Sequence, residues 1–195
     1  MTFTPRSSLA ANISPDCEKP RIRGYESIGL IFRKKDIVTF MMDAQNDCII
    51  KSLTFPSSGQ PLTPVKCVGI IYNPRHSPTH FNGTGVEFNI DTDCYKKTVQ
   101  FYFDNTSTYN VIEPLKDVND YVIILERKDK RGDGSFVVVG WESGLTATAQ
   151  VYDEETSYWL ITMETEEPDA EITLFDTDYE TTKTLFEGLK AHCYD

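Results

Sequence analysis

The chain has 195 residues, 39% of them hydrophobic and 12% aromatic, which is enough apolar material for one folded domain and excludes a disordered chain. Its net charge of −11 argues against duplex nucleic acid as a tight partner, since binding phosphates needs clustered lysine and arginine. The five cysteines, Cys17, Cys48, Cys67, Cys94 and Cys193, are odd in number, widely spaced and free of any CxxC, so they read as thiols in a reducing interior.

Residues 1–24 are polar, carry three prolines and show no periodicity, which predicts an extended N-terminal arm. Four basic residues, Arg6, Lys19, Arg21 and Arg23, stand in it against Asp16 and Glu18, so the arm is basic on an otherwise acidic chain. It has no apolar leader-like run, and no stretch of the chain approaches 18 apolar residues, so neither a signal peptide nor a membrane span is expected.

A β domain is expected over 25–176. "SIGLIF" and "DIVTFMM" are short strand runs separated by "RKKD", a charged turn, and "IIKSLTF" (49–55) follows. "PSSGQPLTP" (56–64) reads as a loop, "VKCVGIIY" (65–72) as a strand, and "NPRHSPTHFNGTG" (73–85) as a long exposed loop. "VEFNID" (86–91) and "KTVQFYFD" (97–104) alternate apolar and polar residues as half-buried strands do. "VIEPLKDVNDY" (111–121) suits one helical turn with Pro114 at its start. "YVIILERK" (121–128) and "SFVVVGW" (135–141) form a hairpin whose turn signal is Asp133-Gly134; "TATAQVYD" (146–153) and "SYWLITMET" (157–165) form the next; "AEITLFD" (170–176) is the last strand. Residues 177–195 form a tail in which "TDYETTKTLFEGLKAH" has helical spacing, with Thr177 and Glu180 as a capping box. About ten short strands and a short C-terminal helix predict a mainly β fold, a β-sandwich or an open barrel.

The chemistry-bearing patterns are sparse. Gly140-Trp141-Glu142-Ser143-Gly144 resembles a nucleophile elbow only in composition: the serine stands one place too late for G-x-S-x-G, and a strand pattern follows it rather than a helix. It reads as a corner between two strands. His76 and His80 have the i, i+4 spacing of a metal pair, but Pro78 between them opposes a helix, and His192 stands apart. Asp91, Asp93 and Asp104 lack the order of a calcium loop. The acid pairs Glu154/Glu155 and Glu166/Glu167 are adjacent, and adjacent residues on a strand point to opposite faces. No catalytic, cofactor-binding or metal site is assigned, and the chain is expected not to be an enzyme. Trp141 and Trp159 are read as core or interface residues, with a carbohydrate platform as the alternative.

A strand followed by "GWESGL" and "TATAQVYDEETSYWLITMETEEP" resembles the last hairpin of bacteriophage tail tube proteins, over about residues 120–176. That resemblance implies a β-sandwich whose strands join those of neighbouring subunits in hexameric rings. The rings stack through an N-terminal arm and long loops, and DNA passes an acidic lumen without being bound. It also implies a virion protein, made in the host bacterial cytoplasm, of a tail tube, tail-end or head-to-tail connector layer. Acidity suits such a conduit because like charge keeps DNA from sticking to a wall; Glu87, Asp91 and Glu164 are the candidate lining residues. The alternative is a ligand- or glycan-binding β-sandwich that uses Trp141, Trp159 or the 73–85 loop.

Overall fold

The computed structural model describes residues 24–55, 84–89, 94–104, 120–154, 158–165 and 171–191. Within them lie ten strands in one mixed sheet and a C-terminal helix: β1 (Tyr25–Arg33), β2 (Thr39–Met42), β3 (Ile49–Thr54), β4 (Thr84–Asn89), β5 (Cys94–Asp104), β6 (Tyr121–Arg127), β7 (Phe136–Val139), β8 (Leu145–Asp153), β9 (Tyr158–Thr165), β10 (Ile172–Leu174) and α1 (Tyr179–Ala191). The sheet order is β2-β3-β10-β7-β6-β8-β9-β5-β4, with β1 also paired to β6, and the sheet does not close into a barrel. The expected fold class holds. The strand expected at 65–72, the turn at 111–119, the 73–83 part of the loop and the arm before Gly24 lie outside the described residues.

Runs of consecutive apolar residues explain the layering. β6 reads Tyr-Val-Ile-Ile-Leu and β7 Phe-Val-Val-Val, with every one of these residues buried. A strand with polar residues on neither face must be covered on both. Two separate apolar clusters do this. Ile123, Leu125, Val137 and Val139 join Val99 and Phe101 of β5 and Ile161 and Met163 of β9 in one cluster. Val122, Ile124, Phe136 and Val138 join Ile50, Leu53, Ile172, Leu174, Phe186 and Leu189 in the other. Since β5 and β9 form no ladder with β6 or β7 among the described residues, the first cluster is made face to face. The sheet folds over on itself into two layers, which meet in the ladder at the single pair Tyr121↔Leu145.

Helix α1 covers the outer face of the central layer. Phe186 and Leu189, three residues apart, bury their side chains there, each contributing roughly 1.5–3 kcal/mol. Its N-cap is Asp178, whose Oδ1 accepts the Thr181 N–H at 2.8 Å, rather than Thr177 as the sequence suggested. The Thr182 hydroxyl sits beneath the first turn, accepting from the Asp176 N–H at 3.0 Å and donating to the Asp178 carbonyl at 2.7 Å. In the β6–β7 turn the residue with positive φ is Gly132 (φ 69°), not Gly134 of the expected Asp-Gly signal. There the Ser135 N–H donates to the Gly132 carbonyl at 3.3 Å.

Strands β2 and β3 reach the rest of the sheet by an indirect route. β2 and β3 form an antiparallel pair, and β3 is joined to the sheet by two parallel pairings with β10, Ile49↔Thr173 and Ile50↔Leu174. Among the described residues β2 is therefore an edge strand.

Candidate functional site

The β7–β8 corner is the first component of the site. Gly140 has φ 84°, and a Cβ there would lie 2.7 Å from Leu145 Cγ and 2.8 Å from the Tyr121 carbonyl oxygen, so only glycine fits. The Gly144 N–H closes the turn on the Gly140 carbonyl at 3.1 Å. This corner joins two strands, as the sequence reading held. Ser143 Oγ donates to the Gly144 carbonyl at 3.4 Å within it. The tight path turns Trp141 into the helix-side cluster, where its ring meets Phe40 edge to face at 5.1 Å.

Strand β2 is the second component. Val38 N–H donates to the Thr54 carbonyl at 2.9 Å, and the Thr39 and Thr54 hydroxyls hydrogen-bond across the pair. Beyond Met42 the chain is turned by Asp43, whose Oδ1 accepts the N–H groups of Gln45 (2.8 Å) and Asn46 (3.0 Å). Those bonds, first that from Gln45 and then the Lys51 ammonium, hold the Asp43 carboxyl below its usual range. Before β2, a 3-10 turn at Lys34–Asp36 takes the place of the expected "RKKD" turn, and Lys34 Nζ donates to the Glu142 carbonyl at 2.9 Å. The corner and the start of β2 are thereby tied together.

Between them lies a groove of about 390 Å³. Its floor and walls are Ile37, Val38, Phe40, Met42, Trp141 and Ile172, with the half-buried thiol of Cys48, and Lys34, Asp47 and Glu142 stand at its rim. Beside it β2 inverts the usual rule: Val38, Phe40 and Met41 are 60%, 55% and 57% exposed. Among the described residues β2 pairs only with β3, so its outer backbone edge faces away from the sheet. Among the described residues, exposed large apolar side chains otherwise occur at Val151 and Tyr152 on β8, beside the half-buried Trp159, whose ring lies 5.1 Å from that of Tyr152.

A second cluster lies where α1 meets β6. Glu126, 2% exposed, accepts from the Tyr179 hydroxyl at 2.6 Å and from Lys183, with Lys130 at 3.4 Å. Burial pushes the Glu126 carboxyl up, but the Lys183 and Tyr179 hydrogen bonds and the two ammonium charges outweigh it and hold it below the ordinary value. Lys130 is raised, chiefly by its hydrogen bond with Tyr179, and the Tyr179 hydroxyl is raised, chiefly by burial. Each group is thus held in its ordinary ionisation state at neutral pH. The arrangement clamps the helix rather than poising a base or nucleophile near pH 7. A smaller tie, Glu171, reaches Arg127 at 3.3 Å and the buried Lys97 at 3.7 Å.

His76, His80, His192 and Asp91 lie outside the described residues. Among the described residues no group of His, Cys, Asp or Glu could hold a metal, and no helix is long and apolar enough to cross a membrane. Glu164 is half-buried on β9, flanked by Thr98 and Thr146 on the neighbouring strands. The sequence carries no sign of the β2 groove, because "DIVTFMM" reads only as a short strand run. Compared with known protein families, with curated proteins and with solved structures, the chain matches none.

Proposed function

We propose that the chain is a structural subunit that acts by assembly, of the kind that builds rings in the tail or connector of a tailed bacteriophage. The observation that carries this reading is the β2 edge, with its exposed Val38, Phe40 and Met41 beside the Trp141 groove. Soluble proteins ordinarily blunt an edge with lysine, proline or a covering element, and an apolar edge left open is a template for another chain. The net charge of −11 supports the conduit part of the proposal, since an acidic wall lets DNA slide past. The likeness of residues 120–176 to tail tube proteins supports a homo-oligomeric, hexameric ring.

The same groove favours a second reading, a ligand-binding β-sandwich, because its volume falls in the range of small-molecule sites and Trp141 lines it. Sedimentation and electron microscopy across a concentration series separate the two. Rings or polymers support the assembly reading. A monomer at every concentration whose Trp fluorescence shifts with an added oligosaccharide overturns it in favour of the second.

A further inference from the structure

The β2 edge carries a charge pattern as well as an apolar one. The strand itself, Thr-Phe-Met-Met, is uncharged. Lys34, Lys35 and Asp36 precede it, and Asp43 and Asp47 follow it. Within the chain Lys35 pairs with Asp120 at 2.8 Å and Asp43 with Lys51 at 3.2 Å, so Lys34 and Asp47 are the two charges that an edge contact uses. The edge is therefore net basic where it starts and acidic where it ends. A parallel copy laid beside it would set lysine on lysine and aspartate on aspartate. An antiparallel copy sets the basic end of each strand against the acidic end of the other, twice in one contact.

We propose that β2 pairs with β2 of a second copy, antiparallel, across a twofold axis. This rests on the assembly reading and deepens it by naming the partner and the contact. The pleat fixes the register further, because residues opposite each other in a ladder point to the same face. Val38, Phe40 and Met42 line the groove, so that face of β2 must stay on one side of the joined sheet. An axis centred on Phe40, midway between Val38 and Met42, meets that condition. Phe40 lies opposite its own copy, Val38 opposite Met42, and Thr39 opposite Met41. The two grooves become one apolar trough, and Lys34 of each copy runs toward Asp47 of the other. β2 is only four residues long, which limits the new ladder and leaves the apolar contact to carry the affinity. A contact of this kind is isologous and closed, so it joins two subunits, or two rings face to face, without propagating.

The experiment uses the full chain. Sedimentation equilibrium is measured for the intact protein, for Met41→Lys, for Lys34→Glu, for Asp47→Lys, and for an equimolar mixture of the last two. Met41 is exposed, so its substitution leaves the core untouched; Lys34→Glu gives up the bond to the Glu142 carbonyl and is expected to lower Tm slightly, so native circular dichroism and a cooperative thermal transition verify the fold of every variant. Met41→Lys is expected to weaken self-association at least about tenfold, as is each single charge reversal. Mixing Lys34→Glu with Asp47→Lys restores it, because every cross-copy pair in the mixed dimer is again of opposite charge. Failure of the mixture to recover overturns the antiparallel pairing. If Met41→Lys associates as tightly as the intact chain, β2 is not the contact, while the assembly reading stands on whatever rings persist. An intact chain that stays monomeric, with Val38 and Phe40 covered by its own residues 56–83 or with an oligosaccharide in the groove, overturns both.

Discussion

The Tyr179 hydroxyl, from the first turn of α1, donates a 2.6 Å hydrogen bond to the buried carboxylate of Glu126 on β6. A helix that covers one face of the central layer is thus held at its start by a polar bond and at its end by Phe186 and Leu189. Tyr179→Phe removes the hydroxyl while Lys183 still pairs with Glu126, and the expected loss is about 1.5–3 kcal/mol, the range for a hydrogen bond to a charged group. Urea unfolding at pH 7 measures it.

The same carboxylate gives the protein an acid limb. Its folded pKa is below its unfolded one, so the stabilisation it contributes is fully present above the ordinary glutamate value of about 4.3 and is lost as pH falls through the lower folded value. Glu126→Gln is expected to be less stable than the native chain at pH 7 and to show a shallower fall of Tm between pH 5 and pH 3, ranges set by that ordinary value of about 4.3. Parallel acid limbs in the two proteins would show that the clamp does not titrate as described.

Gly140→Ala forces a Cβ against a backbone carbonyl in a left-handed conformation, which alanine rarely adopts. The expected destabilisation is about 2 kcal/mol or more, read as a shift of the denaturant midpoint. Ser143→Ala in the same corner is expected to leave stability within about 0.5 kcal/mol. Trp141→Ala costs about 3–5 kcal/mol by removing a groove wall that is also core.

Gly188 offers a change in the other direction. It lies in the exposed face of α1, and a Cβ built there meets nothing within 4 Å. Gly188→Ala is expected to stabilise by roughly 0.5–1 kcal/mol through helix propensity and the smaller entropy of the unfolded chain. Thermal unfolding followed at 222 nm registers it as a rise in Tm.

Much of the fold was legible because local patterns carry it. The unbroken apolar runs of β6 and β7 announce strands covered on both faces, and the Tyr179, Phe186 and Leu189 spacing announces α1. Capping chemistry was misplaced by one residue because Thr177 and Asp178 are both good caps, and only the backbone decides between them. The burial of Glu126 was not legible, since its partners Tyr179 and Lys183 lie more than 50 positions away. Nor was the groove, because Phe40 and Met41 are residues that ordinarily go inside, and their exposure depends on β2 ending up at an edge. The parallel pairing of β3 with β10 has no local signature at all.

That pairing also sets an order of events at the ribosome. β2 and β3 leave the exit tunnel early, yet the strand that ties them to the sheet ends at Leu174, and the helix covering that cluster ends at Ala191. Until nearly the whole chain is made, an apolar hairpin waits without its neighbour, a long loop-closure interval that slows folding and exposes it to chaperones. A nonsense change shortly before Ile172 would release β2 and β3 from the sheet while β1 stays paired with β6, and would not merely shorten the end.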